Sequence, residues 1–212
     1  MIVGVLGLIG SGKDTVGSIL KEYEFERISF ASKLKDTLSV MFGWPRHLLE
    51  GDTEESRKFR ETEDKFWTKK LGRQITPRYM MQHFGTEIVR SNLHSQYWVF
   101  SIEKSLKKDV NYVITDTRFK NEIEWLKSQN AFLIEVRRGI LPHWHSVALQ
   151  ANNGNKKAEE FMKANVHLSE WDWIGTDVDC VIENDGSMEE LRAKVVNCLH
   201  SFLGSSTMCE LV

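Results

Sequence analysis

The stretch MIVGVLGLIGSGKDT, residues 1–15, carries the clearest pattern in the chain. Ile2 to Leu6 form a short apolar run, and a glycine-rich loop follows directly, as it does after a buried parallel strand. Glycines let consecutive backbone N–H groups curve around phosphate oxygens, and the next helix presents its positive end to the same anion. With the charge of Lys13 added, the stretch predicts a phosphate-binding loop. The alternative is a glycine-rich turn with a surface lysine.

The residue after Lys13 departs from the usual form of such loops. A Ser or Thr is expected there, but the chain has Asp14, and the hydroxyl comes one residue later at Thr15. Coordination of Mg²⁺ by a hydroxyl at that position is therefore open. We expect the role of Lys13 to be electrostatic, with its ammonium group solvated when no ligand is bound.

Length and charge limit the classes of protein that fit. A chain of 212 residues, 41% of them hydrophobic, suits one full-sized core with insertions, so we expect a single domain over residues 1–212. The formal net charge is -2 and the Lys and Arg residues are dispersed, which argues against a nucleic-acid polymer as a partner. An anionic ligand must then be met by local groups.

The cysteines and the apolar runs indicate the compartment. Cys180, Cys198 and Cys209 show no CxxC spacing and are odd in number, which predicts reduced thiols and no structural zinc site. No apolar run approaches the roughly 18 residues of a membrane span, and the first strand leaves no room for a signal peptide. We therefore expect a cytoplasmic protein without a membrane attachment.

Apolar strands alternate with amphipathic helices along the chain, which predicts an α/β fold. The predicted strands are residues 2–6, 25–30, 112–115, 132–136 and 179–183. About 80 residues separate the second strand from the third, far more than the roughly 30 of a βαβ unit, so an insertion is expected at residues 36–105. The stretch of about 40 residues before the fifth strand, with its polar run, is typical of a mobile cover.

Residues before and within the insertion are candidates for ligand contacts. Lys33 and Lys35 follow the second strand, and either could face the site opened by the first loop, because ligands of open α/β sheets lie beyond the carboxyl ends of the strands. Trp67 lies in a densely charged segment and is available to stack on a base. For each of them the alternative is ordinary solvated surface.

A helix is predicted to begin at Pro77, after Thr76 as its N-cap. Its predicted apolar face consists of residues 80, 81, 84 and 88. Arg78 falls in the first turn, where the macrodipole disfavours a cation, so either an external anion or a local carboxylate should pair with it. Gln82 and Glu87 lie on the polar side, where they either read a base or sugar or form ordinary surface.

Charged residues follow the third and fourth predicted strands. Asp116 ends an apolar strand, where phosphate-loop enzymes hold the carboxylate that orients Mg²⁺; the alternative role is a helix cap. Arg118 is placed to clamp a phosphoryl group with two hydrogen bonds. Arg137 and Arg138 are adjacent at a strand end, so one should point inward and the other toward solvent.

In their order along the chain, these motifs resemble the bacteriophage deoxynucleoside monophosphate kinases, within the P-loop nucleoside monophosphate kinase-like family. The motifs are residues 10–15 (GSGKDT), 30–35 (FASKLK), 76–78 (TPR) with Gln82 and 85–87 (GTE), 116–119 (DTRF) with 121–122 (NE), and 167–170 (HLSE). They span most of the chain, and their order is the specific signal. The lysine-X-threonine ending of the loop is similar to nucleotide kinases generally, so the group shares the departure at Asp14.

The resemblance implies a three-layer P-loop NTPase fold, with a five-stranded parallel sheet flanked by helices. The insertion at residues 36–105 would be the helical monophosphate-binding part, and residues 137–175 would be the lid. ATP and Mg²⁺ are the implied cofactors, and ATP and a deoxynucleoside monophosphate (dNMP) are the implied small-molecule partners. The implied reaction transfers the γ-phosphate of ATP to the dNMP, which supplies DNA precursors in the cytoplasm, that of the host if the chain is viral.

The resemblance also implies roles for individual residues. The ATP phosphates would be held by Gly10, Ser11, Gly12, Lys13, Asp14 and Thr15. The candidates to bridge donor and acceptor are Arg118, Arg137 and Arg138. The acceptor phosphate would be bound by Lys35 and Arg78, with Trp67, Gln82 and Glu87 as further substrate contacts. A carboxylate beside phosphate is repulsive unless a magnesium-bound water or an arginine compensates, so we expect Asp14, with Asp116, to act through the magnesium shell.

Two other functions stay open. The chain could phosphorylate another small phosphorylated acceptor, such as phosphomevalonate or dephospho-coenzyme A. It could also be a nucleotide-dependent switch, although it has no convincing Asn-Lys-X-Asp element of the GTPase kind. Base preference, the choice between deoxyribose and ribose, and the choice between a monomer and a homodimer are left open by the sequence.

Overall fold

Residues 1–203, the part of the chain that the computed structural model describes, contain a five-stranded parallel sheet. Its strands are β1 (Ile2–Leu6), β2 (Phe25–Ile28), β3 (Asn111–Ile114), β4 (Phe132–Arg137) and β5 (Cys180–Glu183). They lie in the order β2-β3-β1-β4-β5, with parallel pairing throughout. The predicted parallel sheet is confirmed, although β2 ends at Ile28 instead of residue 30.

Helices connect the strands. They are α1 (Lys13–Lys21), α2 (Ser32–Phe42), α3 (Glu54–Glu61), α4 (Lys65–Leu71), α5 (Pro77–Gln82), α6 (Tyr97–Glu103), α7 (Lys120–Ser128), α8 (His145–Asn152), α9 (Lys156–Asn165) and α10 (Met188–Leu203). Short 3-10 helices cover Arg46–Leu49 and Leu168–Glu170, and a π-helix, His83–Arg90, continues α5. The densely charged segment that contains Trp67 forms two helices, α3 and α4.

Helices cover both faces of the central strand β1. Successive residues of a strand point to opposite faces. Val3 and Val5 are fully buried in a cluster that includes residues of α1 and α10. On the other face, a Cβ atom at Gly4 would lie 2.7 Å from Leu126 Cδ1 of α7, so the glycine allows α7 to pack close to the sheet. The sheet between two helical layers gives the three-layer arrangement expected from the sequence.

The chain divides into two compact units. The first comprises Met1–Ile28 and the described residues from Lys107 onward, and it contains the sheet with α1 and α7 to α10. The second, Ser29–Leu106, contains α2 to α6. Residues 36–105 fall within this second unit, and residues 137–175 fall within the first, where they include α8, α9 and a 3-10 helix.

The helix at Pro77 begins where the sequence predicts and then widens. The Thr76 side chain caps α5, and Pro77 is its first residue. The segment His83–Arg90 is a π-helix, whose hydrogen bonds span one residue more than those of an α-helix. The prediction that Ile88 lies on the buried face is wrong: Ile88 is 40% exposed and Val89 is 6% exposed. The wider turn moves the buried face one residue along the chain.

Two of the three cysteines are paired. Cys180 on β5 and Cys198 on α10 form a disulfide, with their Cα atoms 6.3 Å apart. The prediction of reduced thiols is therefore wrong for these two, and Cys209 lies outside the described residues. The pairing depends on the packing of α10 against β5, and a spacing of 18 residues gives no sign of it. In residues 1–203, helices that combine the length and the apolar character of a membrane span are absent.

Candidate active site

The loop between β1 and α1 has the conformation that its glycines permit. Gly10 and Gly12 have φ angles of 80° and 104°, which L-residues with a Cβ atom rarely adopt. The backbone N–H of Ser11 donates to the carbonyl oxygen of Leu8 at 3.2 Å, which closes the loop on itself. Helix α1 begins directly at Lys13, so the predicted order of strand, loop, lysine and helix is confirmed.

Lys13 is only 8% exposed. Its Nζ atom donates to the backbone oxygens of Gly7 at 2.9 Å and Leu8 at 2.7 Å. Burial, together with the charge of Arg118, lowers the pKa of Lys13 to about 8. Three carboxylates act to raise this pKa: Asp14, Glu170 and Asp116. The expectation that the ammonium group is solvated is wrong, because the loop turns two of its carbonyl oxygens toward the group.

Asp14 has one partner on β2 and another directly after β3. Its Oδ1 atom accepts a hydrogen bond from the Arg27 guanidinium of β2, and a second from Thr115 Oγ1 at 2.8 Å. Gly17 of α1 makes this contact sterically feasible, because a Cβ atom there would lie 2.5 Å from the Thr115 methyl group. An arginine therefore compensates the charge of Asp14, one of the two means considered from the sequence. Arg27 itself was not predicted, since nothing in β2 distinguishes it from a surface residue.

The segment after β3 holds Arg118 in a fixed place. Arg118 Nη1 donates to Glu170 Oε1 at 2.9 Å and to the backbone oxygen of Ser169 at 3.3 Å. The backbone N–H groups of Arg118 and Phe119 donate to Glu122 Oε2. Glu122 is only 1% exposed. This carboxylate caps α7 and fixes the turn that carries Arg118. Glu170 belongs to the HLSE motif, but no role was predicted for this residue by itself.

The structure brings together some of the predicted site residues. The charges of Asp14, Asp116 and Arg118 all act on Lys13, so these three side chains lie within electrostatic range of its ammonium group. Asp116 is half-buried at the end of β3. Within residues 1–203, clusters of three or more His, Cys, Asp or Glu side chains that could hold a metal are absent.

Arg137 and Arg138 differ in their surroundings. Arg137 Nε donates to Glu135 Oε1 at 2.8 Å, and its Nη1 atom lies 3.7 Å from Glu183 Oε1. Hydrogen bonding to Glu135 raises the pKa of Arg137. Arg138 is exposed. The prediction that one of the two points toward the phosphate site is left open by these contacts.

In the second unit, Lys35 belongs to an ion-pair network. Its Nζ atom lies 2.6 Å from Glu50 Oε2, and Arg46 bridges Glu50 and Asp36. Although burial acts to raise it, the charges of Lys35 and Arg46 hold the pKa of Glu50 below its ordinary value. Lys35 is thus a half-buried, paired cation, so the alternative of a freely solvated surface lysine is excluded.

Arg78 pairs with Glu61 of α3, which is the local carboxylate considered from the sequence. Trp67 Nε1 donates to the backbone oxygen of Phe42 at 3.1 Å, so Trp67 packs against the end of α2. Gln82 is half-buried at the end of α5. Glu87 is exposed, and its Oε2 atom lies 3.5 Å from Nδ1 of a histidine one helical turn earlier.

Comparison with known proteins gives the family. A family model described as "Deoxynucleotide monophosphate kinase" matches residues 46–143. The "Deoxynucleoside-5'-monophosphate kinase" of Escherichia phage T5 is 30% identical over 182 residues, which cover 61% of this chain and 73% of that protein. The "Putative deoxynucleotide monophosphate kinase" of Acanthamoeba polyphaga mimivirus is 25% identical over 214 residues, 94% of this chain and 96% of that protein.

Among solved structures, TT1252 from Thermus thermophilus is 17% identical, with a TM-score of 0.48, and the match covers 97% of this chain and 98% of that one. The resemblance inferred from the motifs is confirmed by the sequence comparisons. Because 30% identity extends over most of the phage T5 protein, this chain belongs to the deoxynucleotide monophosphate kinase family.

Proposed function

We propose that this chain transfers the γ-phosphoryl group of ATP to the phosphate of a dNMP, giving ADP and a deoxynucleoside diphosphate. The observation that carries the proposal is a phosphate loop whose Lys13 lies within electrostatic range of Arg118. The names of the phage T5 and mimivirus relatives support a dNMP as the acceptor. Both substrates are small dissolved molecules, so we assign the activity to the cytoplasm.

The donor phosphates bind to the loop between β1 and α1. The backbone N–H groups of Gly10, Gly12 and Lys13 supply hydrogen bonds, and the N-terminus of α1 adds its positive end. Phosphate oxygens replace the carbonyl oxygens of Gly7 and Leu8 as partners of Lys13 Nζ. The anion stabilises the charged lysine, so the pKa of Lys13 rises when the nucleotide binds.

Arg118 is the cation best placed to act on the transferred group. Its guanidinium lies near Lys13, and its pairing with Glu170 restricts its orientation. A planar guanidinium donates two parallel hydrogen bonds to phosphoryl oxygens, on which negative charge is spread during transfer. Arg137 and Arg138 remain candidates for the same task from the end of β4.

The residues at the loop fit a magnesium ion. Asp14 and Asp116 are two carboxylates close to Lys13, and Mg²⁺ in such sites takes one or two carboxylates together with phosphate oxygens and water. When bound, the ion neutralises the charge of the donor phosphates. Asp14 Oδ1 already accepts from Arg27 and Thr115, which leaves its other carboxylate oxygen for a magnesium-bound water.

The second unit supplies the proposed groups for the acceptor. Lys35 and Arg78 are its candidate phosphate ligands, and each is paired with a carboxylate, Glu50 or Glu61. An acceptor phosphate would exchange with these carboxylates or share the cation with them. Trp67, Gln82 and Glu87 are the proposed contacts to the base and sugar of the same acceptor.

The reaction needs no covalent intermediate on the protein. The acceptor's phosphate oxygen is already a nucleophile, so it needs alignment with the donor and a site from which water is excluded. Lys13 and Arg118 stabilise the charge that spreads over the phosphoryl oxygens. The chain therefore acts by positioning and electrostatics.

The proposal is tested by incubating the protein with ATP and, in turn, each of the four common dNMPs. ADP release is measured through a coupled dye signal or through NADH oxidation. Turnover with at least one dNMP is expected, and Lys13→Ala should remove most of it. Phosphomevalonate and dephospho-coenzyme A serve as alternative acceptors in parallel wells. The absence of turnover with every dNMP, in protein with a cooperative thermal transition, would overturn the proposal.

A further inference from the structure

Asn184 connects the end of β5 to the phosphate loop. It follows Glu183, the last residue of β5, and is 8% exposed. Its side-chain Nδ2 donates to the carbonyl oxygen of Ser11 at 2.8 Å. Its backbone N–H donates to the carbonyl oxygen of Arg137 at 2.7 Å, which fixes the residue against the end of β4. One buried amide thus holds a loop that lies 173 positions away in the chain.

This hydrogen bond sets the orientation of one peptide group in the loop. A trans peptide is planar, and its C=O and N–H point in opposite directions. When Asn184 holds the Ser11 oxygen on one side, the N–H of Gly12 is directed to the other side. In a phosphate loop, that N–H is one of the donors that must converge on the anion.

Gly12 is the residue that permits this contact. A Cβ atom at Gly12 would overlap the Asn184 side-chain amide nitrogen, and the φ angle of 104° already disfavours other residues. The glycine of the motif therefore has a second purpose here besides its approach to phosphate. It leaves room for the amide that holds the loop from outside.

We propose that Asn184 is a positioning residue, which presets the Ser11–Gly12 peptide of the phosphate loop for the phosphates of the nucleotide. It does not touch the nucleotide and acts through the loop backbone. The inference rests on the proposed function, because it concerns the loop that binds the donor. Without the amide, the Ser11 oxygen loses its donor and the peptide is free to rotate.

Asn184→Asp, Asn184→Ala and the control Asn197→Asp test this role in the 212-residue chain. Asn197 is exposed on α10, so its variant makes the same amide-to-acid change away from the loop. At pH 7.5, both Asn184 variants should bind ADP about tenfold or more weakly by calorimetry, since a buried hydrogen bond is lost. The KM for ATP should rise, and the KM for the dNMP should stay within about twofold because the acceptor groups are unchanged.

A pH series gives a readout that a merely structural role would not move. A protonated Asp at position 184 can donate to the Ser11 oxygen, whereas a carboxylate repels it. The ratio of ADP affinities, wild type to Asn184→Asp, should therefore shrink as the pH falls from 7.5 to 5.5. The nearby charged groups, Lys13, Arg137, Glu183 and Asp185, are present in both proteins, so the ratio removes their direct effect on ADP binding. Asn184→Ala should show no such recovery.

The outcomes separate this inference from the proposed function. If both Asn184 variants bind ADP as tightly as Asn197→Asp, the inference is wrong, whatever the wild type phosphorylates. A fall in kcat and melting temperature with unchanged ADP affinity would also overturn it, because that pattern indicates loss of folded protein. If the wild type phosphorylates no dNMP but the pH-dependent loss of ADP affinity appears, the inference holds and the proposed function fails.

Discussion

Replacing Lys13 by methionine should change how the stability of the ligand-free protein depends on pH. Burial and the charge of Arg118 hold the pKa of Lys13 at about 8 in the folded chain, against its ordinary value of 10.5. Between these two values the unfolded chain binds more protons than the folded chain, so the free energy of unfolding of the wild type rises with pH. At about 1.4 kcal/mol per pKa unit, the gap corresponds to about 3 kcal/mol.

The cost of the buried charge is present in full below about pH 7 and is gone above pH 10.5. The wild type should therefore gain about 3 kcal/mol relative to Lys13→Met across this range, most of it above pH 8. Urea unfolding followed by circular dichroism, without nucleotide, measures the difference at each pH. Comparing the two proteins removes the contribution of groups that they share.

Lys21→Met is the matched control, because it removes a lysine from the exposed end of the same helix. It reports the effect of losing one positive charge without loss of a buried group. Parallel pH profiles for wild type and Lys13→Met would refute the reasoning, since they would mean that folding does not change the proton affinity of this lysine.

Three further experiments address the groups around the loop. Glu170→Gln should lower kcat about tenfold and change the KM for ATP little, because Arg118 loses the charged partner that orients it; an unchanged kcat would contradict this. In buffer without Mg²⁺, Arg27→Met should weaken ATP binding about threefold, the scale of an exposed ion pair, and adding Asp14→Asn should restore it. Calorimetry checks both, and a failure of the double variant to recover would contradict the compensation. ADP binding at pH 8 should take up about half a proton, since phosphate raises the pKa of Lys13. Calorimetry in two buffers of different ionisation enthalpy measures this uptake, which should disappear at pH 6.5.

Local patterns allowed the prediction of the elements that carry the loop. The apolar run of β1, the glycines and the start of α1 at Lys13 follow from residues that are neighbours in the chain. The cap at Thr76 is predictable for the same reason, because its hydrogen bond spans three residues. Such features depend on backbone conformation and short-range hydrogen bonds, which the sequence specifies directly.

The contacts that complete the site join residues that are far apart in the chain. Arg27 reaches Asp14 and Asn184 reaches Ser11 because parallel strands place their carboxyl ends at one edge of the sheet. The sequence predicts that such residues converge, but it does not give which side chain meets which. The partner of Arg118 was missed for this reason, although its motif had been recognised.

The central position of β1 in the sheet has a consequence for the order in which the protein is made. β1 pairs with β3 and β4, so residues 2–6 leave the ribosome long before residues 111–114 and 132–137 exist to pair with them. During synthesis the backbone groups of β1 therefore have no strand partner until β3 and β4 are made. Pairing these strands closes a loop of more than 100 residues, which makes formation of the sheet slow. A chain that stops anywhere before residue 184 also lacks the amide that holds the Ser11 oxygen, however complete its first strands are.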